Sequence, residues 1–221
     1  MYTAFSLILL LLSFTVTAIA HPGQLDKYGG HYDHITLEYH CHFKKCLKQF
    51  ERPLTTFKKK YKRAEWKHWL DIDHDCQNTR AELLITTSHI PVSFTNKKRC
   101  AVKNGEWVDL YTGKIIKNAR LLDIDHIVPL KEAHDSGGAI WTALQKEIFA
   151  NDPLNLIAVS AAENREKGSK DVAHWLPSNN PPYQCIYVKR FQAVKRKYQL
   201  SSDTLEQKAI ESILARCAKR G

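Results

Sequence analysis

The sequence predicts an α+β fold, a main domain with a small N-terminal appendage, and three observations carry that prediction. Short runs such as residues 121–128 and 154–159 combine β-branched residues with alternation and read as strands. Stretches with helical spacing and capping residues follow or separate them. The chain has 221 residues, 43% of them hydrophobic and 25% charged, which suits a buried core and argues against disordered, collagen-like or repeat architectures.

Taken in order, residues 1–20 carry no charged side chain, are dominated by Leu, Ile, Val, Phe and Ala, and end in Ala18-Ile19-Ala20. They read as a secretory signal peptide that leaves His21 as the mature N-terminus. No later segment approaches ~18 uninterrupted apolar residues, so no membrane association is expected after cleavage. Residues 21–42 hold five histidines, at 21, 31, 34, 40 and 42. Between Lys44 and Lys67, ten basic residues face only Glu51 and Glu65, and FKKKYKR interleaves lysine with aromatics, as a basic arm does. The appendage is therefore residues 21–63 and the main domain 64–221.

Within the main domain, residues 78–87 suggest a short capped helix, and residues 100–116 suggest short strands punctuated by Gly105 and Gly113. The strand of residues 121–128 is followed by a long connection in which WTALQKEIFA is helical, so the register against residues 154–159 stays open. Ser160 is placed to cap a helix that Gly168 stops, and residues 203–217 space Leu205, Ile210, Ile213, Leu214 and Cys217 as an amphipathic helix.

Six cysteines in an exported chain point to disulfides. Spacing favours Cys41 with Cys46, Cys76 with Cys100 and Cys185 with Cys217, among 15 possible connectivities. The absence of a C-x2-C pair argues against thiolate zinc. Lys and Arg total 33 against 23 acidic residues, a formal charge of +10 that suits a polyanionic partner.

Chemistry concentrates in IDHIVPL (124–130), DPLNLIAV (152–159) and AENREKG (162–168), read as strand, strand and helix. A neutral imidazole at His126 can take a proton from water near neutral pH. The Asp125 carboxylate and the Asn164 amide oxygen are hard ligands suited to Mg²⁺ with open positions for phosphate oxygens. The ordered set Asp125-His126-x-x-Pro129, Asn155-Leu156 and Asn164-x-x-Lys167 resembles the HNH, or ββα-metal, nucleases. WKHWLDIDHDCQNTRAELL, GEWVDLYTG, FANDPLNLIAV and HWLPSNNPPYQCIYV are similar to exported HNH endonucleases related to the C-terminal domain of GmrSD-type restriction enzymes, over about residues 64–217. The resemblance implies an HNH core, His126 as general base, Asp125 and Asn164 as metal ligands, Asn155 as the residue holding the His-bearing loop, and Lys167 as a cation that can meet the phosphate.

The expected activity is hydrolysis of DNA phosphodiesters with Mg²⁺, or Mn²⁺ or Zn²⁺ in its place, and little sequence preference, by a monomer. Lys58, Lys59, Lys60, Lys62 and Arg63 of the basic arm, with Arg80, are the expected contacts to the nucleic acid. The alternative is a non-catalytic nucleic-acid or cell-surface binding protein whose active module is the histidine segment. GGHYDHITLEYHCH resembles the short YHYH-type motif of exported proteins; His40 and His42 would share a strand face, and His31 could complete a Zn²⁺ or Cu²⁺ site. DIDHDCQNTRAE imitates an EF-hand loop but has Cys76 and Asn78 where Gly and an apolar residue are usual, which favours a disulfide-anchored helix entry. His68, His74, His89, His134 and His174 read as surface or hydrogen-bonding residues.

Overall fold

The computed structural model describes residues 25–33, 36, 38–50 and 59–219. The signal-peptide segment, His21 and Lys58 lie outside the described residues. The protein is a mixed α+β fold, and all six cysteines are paired as Cys41–Cys46, Cys76–Cys100 and Cys185–Cys217. Among the described residues no helix is long and apolar enough to cross a membrane.

The N-terminal piece is an antiparallel hairpin of β1 (Gly30–Tyr32) and β2 (Tyr39–Cys41), followed by the short α1 (Lys44–Leu47). Gly30 is required where it stands, because a Cβ there would sit 2.5 Å from the Tyr39 hydroxyl and 2.6 Å from the His40 carbonyl. Apart from α1, a 3₁₀ turn at Lys48–Phe50 and another at Arg63–Glu65, the described part of the basic arm has no regular structure. From Lys59 it runs into the main domain: His134 Nε2 bonds the Lys59 carbonyl at 2.7 Å, Glu65 pairs with Lys146 at 2.5 Å, and Trp66 is buried in the core.

Helix α2 (Thr79–Thr87) starts where the sequence places it, with the Asn78 side chain accepting from the Ala81 N–H at 3.1 Å. A three-stranded sheet follows, β3 (Ser93–Phe94), β4 (Val102–Val108) and β5 (Ile115–Asn118), in sequence order. Gly113, at φ +73°, makes the β4–β5 turn. Gly105, expected to punctuate, lies inside β4, where a Cβ would meet the Trp107 ring at 2.6 Å.

The central unit is β6 (Leu122–His126), α3 (Leu130–Asp135), α4 (Ala143–Asn151), β7 (Leu156–Ser160) and α5 (Ala161–Lys167). β6 and β7 pair antiparallel from Leu122↔Ser160 to His126↔Leu156, which closes the register question. The long connection is two helices; α4 begins on a capping box in which Thr142 and Gln145 satisfy each other's backbone N–H groups. Alternation sorts the pair's two faces. Leu122, Ile124, Leu156 and Ala158 pack with Leu84 and Trp107, while Ile157 and Val159 join the larger core of Trp66, Phe149, Tyr187 and Phe191. Two helices close the fold, α6 (Gln184–Lys197) and α7 (Thr204–Ala218), tied by Cys185–Cys217. The amphipathic spacing predicts α7, whereas α6 is a helix that the sequence reading does not include.

Candidate active site

β6 ends on adjacent residues that point to opposite faces, and both reach one cleft. Asp125, His126, Asn164, Tyr61, Arg63 and Lys131 are among the residues lining a space of 370 Å³. α5 crosses the face that carries Asp123 and Asp125, so Asn164 Nδ2 reaches Asp123 Oδ2 at 3.2 Å and Lys167 reaches Asp125. The structure thus brings Asp125, His126 and Asn164 together from residues far apart in the chain.

His126 is 5% exposed. Its Nε2 lies 2.9 Å from the Ala150 carbonyl, and a carbonyl can only accept, so Nε2 carries the proton and Nδ1 is left with the lone pair. Trp69 stacks over the ring at 6.0 Å and 27°, and His68 meets it edge-on at 6.3 Å. Burial lowers its pKa to about 3, the Ala150 hydrogen bond opposing this and His68, Lys167 and Arg63 adding to it. The imidazole is therefore neutral at physiological pH.

Asn155 is fully buried, and it clamps the chain leaving β6. Its Oδ1 accepts from the Val128 N–H at 2.8 Å, its Nδ2 donates to the Val128 carbonyl at 3.2 Å, and its own carbonyl accepts from Ile127 N–H at 2.8 Å.

Two residues stand differently from the expectation. Lys167, expected as a cation that can meet the phosphate, is turned into the core. It is 0% exposed, and its three ammonium protons meet Asp125 Oδ1 (2.9 Å), Asp125 Oδ2 (2.7 Å) and the His126 carbonyl (2.7 Å). A lysine with this burial needs such partners, and its role here is to orient the carboxylate and the strand end. Arg80 is also turned inward, Nη2 donating to the Ala119 and Leu122 carbonyls at 3.0 and 2.8 Å, which pins α2 to the start of β6. Lys59, Lys60, Lys62 and Arg63 are exposed, with Arg63 at the cleft.

Other groups at the site have no role that the sequence suggests. The Tyr111 hydroxyl donates to Asp125 Oδ2 at 2.6 Å, and burial raises its pKa well above the usual phenol value, so it stays a donor. Asp123 is the same-face neighbour of Asp125, a relation that strand alternation in LLDIDH already contains. Tyr111 sits in the GEWVDLYTG turn, but no local pattern links it to a strand fourteen residues on.

Elsewhere, the carboxylates of residues 71–75 serve their own loop: Asp71 Oδ2 accepts from Cys76 N–H, Asp73 Oδ1 from Asp75 N–H and Asp75 Oδ1 from Gln77 N–H. With Cys76–Cys100 and the Asn78 cap, the segment is the disulfide-anchored helix entry expected for it.

The donor set of the cleft fits a hard divalent cation. Asp125 Oδ1 has accepted one hydrogen bond and keeps a lone pair, and the Asn164 amide oxygen accepts none among the described residues. Both are hard oxygen donors, the kind a hard divalent cation takes, although the Lys167 ammonium already contacts both Asp125 oxygens.

An antiparallel strand pair followed by a helix thus gathers a histidine, a lysine-paired aspartate and an asparagine at one cleft of a mixed α+β protein. Residues 77–212 match the family described as GmrSD restriction endonucleases, C-terminal domain, and the chain belongs to that family. It is 35% identical over 159 residues, 71% of this chain and 76% of the other, to an uncharacterized secreted protein of Arthroderma benhamiae. No solved structure matches it significantly. Its family makes it nuclease-related, and its paired cysteines and secreted relative agree with export.

Proposed function

We propose that the protein is a secreted, metal-dependent HNH endonuclease that hydrolyses DNA phosphodiester bonds with little sequence preference. The observation that carries this reading is the His126 arrangement: an imidazole tied through Nε2 to the Ala150 carbonyl, neutral, beside Asp125 and Asn164 in one cleft.

In this reading Nδ1 of His126 draws a proton from a water as that oxygen attacks phosphorus in line with the leaving O3′. Asn155 keeps the loop after His126 in place, and the Ala150 carbonyl prevents the ring from turning. Lys167 and Tyr111 hold Asp125 in one orientation, at the cleft that Asn164 also lines. A divalent ion bound there would supply Lewis-acid stabilisation of charge on the phosphoryl and leaving oxygens. Arg63 and Lys131 at the cleft, with Lys59, Lys60 and Lys62 beside it, bind backbone phosphates without reading bases.

The test is digestion of supercoiled plasmid by the purified secreted protein with Mg²⁺, Mn²⁺, Zn²⁺ or chelator. Nicking that depends on a divalent ion is expected. A protein that shifts the plasmid on a gel under every metal condition without cutting it would overturn the enzymatic reading in favour of a binding protein.

A further inference from the structure

We infer that the N-terminal hairpin carries a second metal site, made of His31, His40 and His42, that binds an imidazole-preferring divalent ion of the Zn²⁺ or Cu²⁺ class. The convergence follows from strand geometry. His31 on β1 and His40 on β2 are direct cross-strand partners, so their side chains leave the same face. His42 lies two residues beyond His40, and its N–H bonds the Gly29 carbonyl at 3.0 Å, so the ladder continues through it and puts it on that face too. Cys41, between them, points to the other face and is stapled to Cys46 at the end of α1.

The three rings form a mutual cluster, with centroids 4.2 Å (His31–His40), 5.0 Å (His31–His42) and 5.0 Å (His40–His42) apart. One nitrogen from each lies within 4.8 Å of the others. Nitrogens bound at ~2.0–2.1 Å around a tetrahedral ion stand a little over ~3 Å apart, so side-chain rotation of about an ångström seats one ion between them. A single divalent ion is a partner that one nitrogen of each ring can share. Three imidazole nitrogens select Zn²⁺ or Cu²⁺ over Mg²⁺.

His31 is 6% exposed while His42 is exposed, so the site is anchored on one side and open to solvent on the other. Three protein ligands leave a coordination position for water or an exogenous donor. The ion also ties β1 to β2, two strands of three residues each, which is shorter than a hairpin needs to persist in water unaided. The inference is independent of the nuclease reading, since none of its residues belongs to the cleft.

The experiment is calorimetric titration of the chelator-stripped secreted protein with Zn²⁺ and, separately, Cu²⁺, alongside His40→Gln and His42→Gln, with circular dichroism as the fold check. His42 is exposed, so its replacement tests the site without disturbing packing. One equivalent bound with sub-micromolar affinity is expected, with a rise in Tm, no competition by Mg²⁺, and weakening on the order of a hundredfold or more in either variant. Competition between the two metals, with nitrogen hyperfine structure in the spectrum of the Cu²⁺ form, separates the ions. Failure of both metals to bind stoichiometrically, or binding equally strong in the wild type and both variants, as by an N-terminal amine, would overturn the inference.

Discussion

His126 and Lys167 are both buried and both titratable, but burial acts on them to different ends. For His126 it favours the neutral form, with the lone pair on Nδ1. Replacing it with alanine should lower cleavage ~10²- to 10⁴-fold while leaving DNA affinity nearly unchanged, because in the proposed mechanism the ring supplies a base and no phosphate contact. Single-turnover cleavage and filter binding on the same preparation check this, and near-normal turnover in His126→Ala would remove it from the mechanism. For Lys167, burial is tolerated because Asp125 and the His126 carbonyl take all three protons. Lys167→Met strands the Asp125 carboxylate in the core and should cost about 3–5 kcal/mol of stability. It should leave the salt dependence of DNA binding unaltered. A flatter salt slope in a folded Lys167→Met protein would show that the ammonium does reach the nucleic acid.

At the level of elements, α2 carries an electrostatic load at its first turn. Partial burial, then the negative charges of Asp73, Asp75 and Asp71, raise the Glu82 pKa to about 7. Its folded pKa lies above the unfolded value, so the folded state binds the extra proton between roughly pH 4.5 and 7, and stability is lost as pH rises through that window. Glu82→Gln should therefore match the wild type at pH 4 and exceed it at pH 8. After solvent screening at this partly exposed site the gain is about 1 kcal/mol. Thermal unfolding at the two pH values measures it, and an equal difference at both would refute the titration account.

The α6–α7 pair depends on its crosslink in a different way. Cys185–Cys217 spans 32 residues and removes loop entropy from the unfolded chain, about 3–4 kcal/mol in that model. Lys195 reinforces the pair, bonding Glu132 at 2.7 Å, the Ser201 carbonyl at 2.9 Å and Glu206 on α7. Replacing both cysteines by serine should lower Tm and speed amide exchange across both helices. Unchanged exchange there would mean that the lysine network alone holds them.

Over the whole molecule, the proposed mechanism puts capture and chemistry on neighbouring but different segments. The groups proposed for proton transfer and for the cleft metal lie between Asp125 and Lys167, whereas the exposed lysines at 59, 60 and 62 belong to the strap entering from the N-terminal side. Changing these three to alanine together should raise KM with turnover at saturating DNA nearly intact. The slope of log affinity against log salt should flatten by about 0.9 for each phosphate that the protein no longer neutralises. A collapse of turnover at saturation would place the strap inside the catalytic machinery.

Cysteine spacing favoured the three disulfide pairs that form, among 15 connectivities, and the chain carries its local features openly: the α2 cap at Asn78, the strand alternation of β6, and the Ser160 start and Gly168 stop of α5. These depend on residues near one another in the chain, where caps, periodicity and spacing leave a direct mark. α6 was legible in principle, since Tyr187, Val188, Phe191 and Val194 fall at helical spacing, but its aromatic and β-branched residues weaken helix propensity and hide the period. Packing over long sequence distances sets the β6–β7 register, the inward turn of Lys167 and Arg80, and the Tyr111 and Ala150 partners of Asp125 and His126. A cation in a sequence reads as a surface group until packing removes its water. Whether Lys167 meets a phosphate or a buried carboxylate depends on which face of β6 the helix crosses, and that is decided by how the two cores close around the strand pair.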